Sequence, residues 1–353
     1  MTPQHHDVVI VGGGQAGLAI GHHLAAQNRD FVILDGAAEP AAAWRARWDS
    51  LRLFTAARYS ALPGRHFPGD PDHYPSRDEV VEYLTGYAHD LPVELDSQAT
   101  RVAPIDGGYR VELADRGYEA EQVVVATGPF QIPRIPGLAR DLDPSVRSLH
   151  SSEYRGPAQI PAGRVLVVGG GNTGFQIAEE LAPTHEVHLA IGSRQTPMPQ
   201  RILGRDMFRV LDAIGAMTKT ADTVVGRRMK ARDTLVGSSP RRARRQGIRL
   251  HPRATAARGA TVAIENGAEI SVDAVIWATG FGTDHTWIEA DIFDQQGRIL
   301  QQRGVTPAPG LFVLGLPWMH TRGSALLGWV GDDADHLAQQ IGARSASRMS
   351  RPS

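Results

Sequence analysis

Two short stretches of this sequence carry the same spacing of glycines. Gly12, Gly14 and Gly17 follow the apolar run Val8–Val11, and Gly169, Gly171 and Gly174 follow Val165–Val168. Each G-x-G-x-x-G pattern stands between an apolar run and a helical pattern, the arrangement that holds the pyrophosphate of a dinucleotide. The first glycine permits a tight turn, the second lets the pyrophosphate approach the backbone, and the third lets the helix pack closely on the strand. The anion then rests at a helix N-terminus, where free amides and the helix dipole attract it. Gln15 and Ala16 complete the first loop, and Asn172 and Thr173 the second.

The second apolar run of each unit ends differently. The run Phe31–Leu34 ends in Asp35, whose carboxylate suits a ribose diol and repels a 2'-phosphate. The matching run, His185–Ile191, ends in Gly192, Ser193 and Arg194, a hydroxyl and a guanidinium that suit a 2'-phosphate. The first site therefore fits FAD or NAD and the second NADPH. No second basic residue stands directly after Arg194 (Gln195, Thr196), so coenzyme discrimination is expected to be modest and NADH usable.

Each half also closes on a matching run. Val123–Pro129 contains Ala126, Thr127 and Gly128, and Val275–Phe281 contains Thr279 and Gly280. In an open parallel sheet such a strand ends at the cofactor crevice, where small residues do not obstruct a ligand.

These sites require an α/β fold of two Rossmann-like dinucleotide-binding domains, with the second, NADP domain inserted into the first. The expected boundaries are 1–155 for the first part of the first domain, 156–272 for the NAD(P) domain, 273–345 for the return segment with its last helix, and 346–353 for a tail. A helix with Ser76 as N-cap is expected over SRDEVVEYLTGYAHDL, a small antiparallel meander over Ala99–Val124, and a last helix beginning near Ser324. The proline-rich stretches Pro129–Pro144 and Gly156–Pro161 read as linkers.

Composition narrows the function. The 353 residues carry a net charge of -1 and no cysteine, so no disulfide framework, cysteine–zinc site or redox cysteine pair can form. The basic residues Arg227, Arg228, Lys230, Arg232, Arg241, Arg242, Arg244 and Arg245 are not interleaved with aromatics and read as a solvated helical face, not a nucleic-acid surface. The 14 histidines show no metal-ligand spacing, so no metal is expected. The chain has neither the pattern of a signal peptide nor an apolar run long enough for a membrane span, and it reads as cytoplasmic.

The paired loops and Ala-Thr-Gly runs resemble the two-dinucleotide flavoproteins. Four further stretches, Trp44–Leu53, Tyr74–Arg77, His150–Tyr154 and Leu314–Trp318, resemble small bacterial flavin-containing monooxygenases and their Baeyer-Villiger relatives. The resemblance implies FAD on Gly12, Gly14, Gly17 and Asp35, with Trp44, Arg45, Trp48 and Leu53 near its ribityl and flavin parts and the backbone of Val102 on adenine. It implies NADPH on Gly169, Gly171, Asn172, Thr173, Ser193 and Arg194. The implied partners are molecular oxygen and a small soft nucleophile or ketone, oxidised through a flavin hydroperoxide, and the likeness is compatible with a homodimer. Thr55 stands in the region where many members place a flavin-side asparagine, and Arg322 is the charge expected to steady reduced flavin or NADP. The linker fingerprint keeps His150 and Tyr154 but has Pro144 and Val146 at its aromatic and glycine positions, which implies leaky coupling. An NAD(P)H-dependent reductase passing electrons to a quinone or protein, and a non-catalytic nucleotide sensor, are the alternatives.

Overall fold

A computed structural model describes residues 3–217, 219–230 and 234–349. Its architecture is mixed α/β, built on two sheets whose central parallel strands follow the same local order. In the first, strand Gln4–Val11 lies between Phe31–Leu34 and Gly117–Val125, parallel to both. In the second, Arg164–Val168 lies between Glu186–Ala190 and Ala274–Trp277, again parallel to both. The register agrees as well. Val11 is opposite Leu34 and Val125, while Val168 is opposite Ala190 and Trp277. Strands buried on both faces read as continuous apolar runs, and Val8, Val9, Ile10, Val165, Leu166 and Val167 are all fully buried.

The chain leaves the first sheet after Val125 and rejoins it at Leu311–Val313, which pairs in parallel with Val123–Val125. The whole second sheet is built between those two passages. The last helix, Val330–Met349, packs on helix Gln15–Ala26. Gln122, fully buried, donates to the Ile341 carbonyl at 3.3 Å and to Ser345 Oγ at 3.1 Å, which ties the first sheet to that helix.

The helix Arg77–Ala88 forms as expected, with a capping box in which Ser76 Oγ accepts from Glu79 N and the Glu79 carboxylate accepts from Ser76 N. The meander is present as Arg101–Ile105, Gly108–Glu112 and Gly117–Val125. The expected boundaries need correction. Strands Arg147–His150 and Ala274–Trp277 belong to the second sheet although both fall outside 156–272, because the Ala-Thr-Gly strand must pair with the loop strand of its own unit. The last helix starts at Val330, not near Ser324, and runs to Met349, past the expected start of the tail. Thr321 and Ser324 close a separate capping box on a short 3-10 turn, and Gly328 lies so close to the Tyr59 carbonyl that a Cβ there would stand 2.1 Å from it. The basic stretch forms two short helices, Val224–Lys230 and Pro240–Arg245, separated by strand Thr234–Val236, instead of one face. Arg232 lies outside the described residues.

Candidate functional site

The two glycine loops match bond for bond. Gly12 N donates to the Leu34 carbonyl at 2.8 Å and Gly169 N to the Ala190 carbonyl at 2.9 Å. Ala126 N and Ala278 N each donate back to the loop strand, to Val11 and Val168, at 2.8 Å. Sterics then assign the glycines. Gly12 and Gly169 have φ of +111° and +131°, and a Cβ on either would stand 2.6 or 2.1 Å from the carbonyl oxygen of Ala126 or Ala278. A Cβ on Gly17 or Gly174 would stand 1.9 Å from the carbonyl oxygen of Gly12 or Gly169.

The middle glycines behave oppositely. A Cβ on Gly14 or Gly171 would meet nothing within 4 Å, and each residue is an N-cap whose helix receives no side-chain cap. Internal packing explains the outer glycines but not these. Open space in front of an uncapped helix N-terminus is what a bound pyrophosphate needs, so both loops fit the dinucleotides expected of them. Gln15 and Ala16 are held against the return segment: Gln15 Nε2 donates to the Ala325 carbonyl at 2.9 Å, and a Cβ on Gly315 would stand 2.7 Å from that of Ala16.

Asp35 accepts from Gly13 N and Ala37 N, both at 2.8 Å, which fixes the carboxylate beside the first loop. In the second loop that place is taken by Gln195. A Cβ on Gly13 would stand 2.7 Å from Asp35 Oδ2, and one on Gly170 would stand 2.8 Å from Gln195 Nε2. A neutral amide thus replaces the carboxylate. Arg194 is exposed on the same turn. Sequence reading missed Arg253, whose Nη2 donates to the Gly192 carbonyl at 2.7 Å.

Several expected contacts change. Trp48 is only 4 % exposed and belongs to the second core with Leu149, Tyr154 and Phe175, so packing accounts for its burial. Arg45 is paired with Glu39 at 3.0 Å. Trp44 and Leu53 pack partly buried against the first core. The Val102 amide donates to the Trp287 carbonyl and its carbonyl accepts from Glu289 N, each at 2.8 Å, so its backbone already serves a bridge. Asn172 binds the backbone of Val236 and Thr234 through both ends of its amide, at 2.8 and 3.1 Å, which gives it a structural task. The Thr55 hydroxyl is buried against Ser60 Oγ at 2.9 Å. Arg322 is partly buried with no carboxylate partner among the described residues, and burial pulls its pKa down.

The segment after the first Ala-Thr-Gly turn meets the second such turn. Gln131 Nε2 donates to Thr127 Oγ1 at 3.0 Å and to the Gly128 carbonyl at 2.9 Å, while Thr279 Oγ1 donates to the Arg134 carbonyl. Strand Phe281–Gly282 pairs with Ile132–Pro133, and the Arg47 guanidinium lies over Phe130 and Phe281 at 4.9 and 5.5 Å. His150 joins them. Its Nε2 contacts the Gly280 carbonyl at 3.0 Å and must be the protonated nitrogen, since a carbonyl only accepts; Nδ1 then accepts from Ser152 N at 3.2 Å.

Burial, above all, holds His150, His188 and His251 below the ordinary histidine range. Each takes up its proton at a lower pH in the folded protein than in the unfolded chain, so the unfolded chain binds more protons once the pH falls below about 6.5. Their stabilisation is complete above that pH and is lost as the pH falls through the folded values. The melting temperature should therefore be lower at about pH 5.5 than at about pH 7.5. A midpoint that rises on acidification contradicts the assignment.

Among the described residues, no helix is long and apolar enough to cross a membrane. The family model for pyridine nucleotide-disulphide oxidoreductases matches residues 9–202. An uncharacterized CzcO-like oxidoreductase of Geobacillus kaustophilus is 40% identical over 95% of this chain and 98% of its own. CzcO of Bacillus subtilis is 38% identical over 95% and 99%. The solved flavin-containing monooxygenase of Stenotrophomonas maltophilia is 30% identical, with a TM-score of 0.81 over 97% of this chain and 99% of that one. With a Rossmann-type loop at the head of each sheet and these likenesses along its length, the chain belongs to the pyridine nucleotide-disulphide oxidoreductase family and is an oxidoreductase of the flavin monooxygenase kind.

Proposed function

We propose that the first sheet holds FAD, that the second holds NADPH as a domain inserted into the first, and that the protein uses both to oxygenate a small sulfur or nitrogen nucleophile or a ketone. The observation that carries the assignment is the pair of loops with open middle glycines, one beside Asp35 and the other beside Gln195 and Arg194. Support for oxygenation comes from the full-length likeness to the Stenotrophomonas enzyme and from the absence of cysteine, which removes disulfide chemistry. Bound FAD supplies the oxygen chemistry. This chain's residues bind and orient the cofactor and exclude water. Asp35 holds the ribose, the helix amides after Gly14 hold the pyrophosphate, and Arg322 contributes positive charge where the return segment meets the first helix.

Purified protein should be yellow and should release FAD on heating. A colourless preparation that also fails to take up added FAD overturns the assignment of the first site. Arg322→Met should slow steady NADPH oxidation by roughly 10- to 100-fold, the scale of losing one preorganised charge contact, with the melting temperature unchanged. Full activity in that variant removes Arg322 from the site.

One observation favours the reductase alternative: the Thr55 hydroxyl is bonded to Ser60, so this residue does not offer the polar group that the family's asparagine supplies. A reductase needs no such group, because it passes its electrons to a quinone or protein acceptor.

A further inference from the structure

We infer that Arg253, with Gln195, completes the adenosine-ribose subsite of the second loop and makes this chain selective for a 2'-phosphorylated coenzyme, an inference that rests on the NADPH assignment above. Arg253 lies 61 residues beyond Gly192 in sequence, yet strand pairing brings it to the same sheet edge. His251, two residues before it, is opposite Ala190, two residues before Gly192. The guanidinium packs on the Gly192 backbone, where a Cβ would stand 3.3 Å from Cζ and from Nη2. Its Nη2 bond to the Gly192 carbonyl ties the group to the turn that carries Ser193 and Arg194, and it forms no ion pair with a carboxylate among the described residues.

Gln195 supplies the other half. Its Nε2 donates to the Ser193 carbonyl at 3.2 Å, which sets the orientation of the amide and leaves Oε1 buried without a hydrogen-bond partner among the described residues. A buried orphan acceptor is costly unless a ligand donor meets it. The Gln195 amide, with Nε2 towards Gly170, takes the place of the Asp35 carboxylate in the first loop, and a ribose hydroxyl is the donor assigned to its Oε1. Because the acceptor is neutral, a phosphate on the neighbouring ribose oxygen is not repelled, and the two guanidiniums can grip it from either side. The modest discrimination expected from the residues directly after Arg194 is thereby revised to a strong preference for NADPH.

The test measures binding to the FAD-loaded enzyme by calorimetry, using 2',5'-ADP as the phosphorylated probe and 5'-ADP as its control. The parent should bind 2',5'-ADP more tightly by at least about 100-fold, the scale of two charge-assisted contacts. Arg253→Ala should cost 2',5'-ADP about 10- to 100-fold and leave 5'-ADP within about twofold. Arg253→Lys, a cation without the planar fork, should fall between. Gln195→Glu should restore the carboxylate and lose 2',5'-ADP while keeping 5'-ADP. Retained FAD and an unchanged melting temperature exclude a folding defect. If the parent binds neither probe, or both equally, the NADPH assignment itself fails. If the parent discriminates but Arg253→Ala changes neither probe, or weakens both alike, Arg253 only props the Gly192 turn and the inference is overturned.

Discussion

Alanine at Gly14 should strip the protein of FAD and leave it folded, whereas alanine at Gly17 should unfold it. At position 14 the backbone has φ of -76°, and a Cβ meets nothing within 4 Å. The gain from a stiffer unfolded chain and the loss of glycine at an N-cap roughly offset, so the apoprotein should melt within a few degrees of the parent. The new methyl nevertheless occupies the space where a pyrophosphate must touch the helix amides. Losing two or more charge-assisted bonds there should weaken FAD by on the order of 100-fold or more. At position 17 the methyl would lie 1.9 Å from the Gly12 carbonyl oxygen, so strand and helix must separate, at about 3 kcal/mol or more. Thermal unfolding and FAD fluorescence read the two effects separately. Equal behaviour of the variants, in either direction, contradicts the division of labour among the glycines.

Asp35→Ala should also be severe. It removes the acceptor for Gly13 N and Ala37 N as well as the group proposed to hold the ribose. With two ribose hydroxyls unpaired, the FAD dissociation constant should rise by roughly 100- to 1,000-fold. Asp35→Asn, which keeps an acceptor, should lose less. Near-parental FAD retention in Asp35→Ala means that the carboxylate serves the loop and not the cofactor.

Much of the site was legible in sequence because its constraints are local. A turn with φ above +100° at Gly12 and a helix that must touch the strand at Gly17 leave only glycine acceptable, and such positions stand at fixed spacing. The change from Asp35 to Gly192, Ser193 and Arg194 lies within the same local unit and could be read in the same way, whereas the fold of the turn is what brings Gln195 against Gly170. Trp48 could not be placed, because an aromatic's type shows that it will be buried but not in which of two cores. Arg253 was invisible for a related reason: only the pairing of His251 with Ala190 brings it to Gly192. The late start of the last helix depends on Gly328 fitting against Tyr59, a contact between distant segments that no helical period records.

On the proposed function, electrons from NADPH reach oxygen and one oxygen atom reaches an organic product. In a coupled turnover, NADPH, a proton, O2 and a thioether give NADP+, water and a sulfoxide; in an uncoupled one the oxygen leaves as hydrogen peroxide. Pro144 and Val146 in the linker fingerprint, and the Thr55 hydroxyl turned towards Ser60, make some leakage the expected outcome. The most direct measurement supplies the FAD-loaded enzyme with NADPH, air and a simple thioether or cyclic ketone, then counts product and peroxide against NADPH consumed. Sulfoxide or lactone at less than one per NADPH, with peroxide making up the balance, is the predicted result; peroxide alone across a broad substrate panel, with turnover strongly accelerated by an added quinone or ferredoxin-like acceptor, contradicts it.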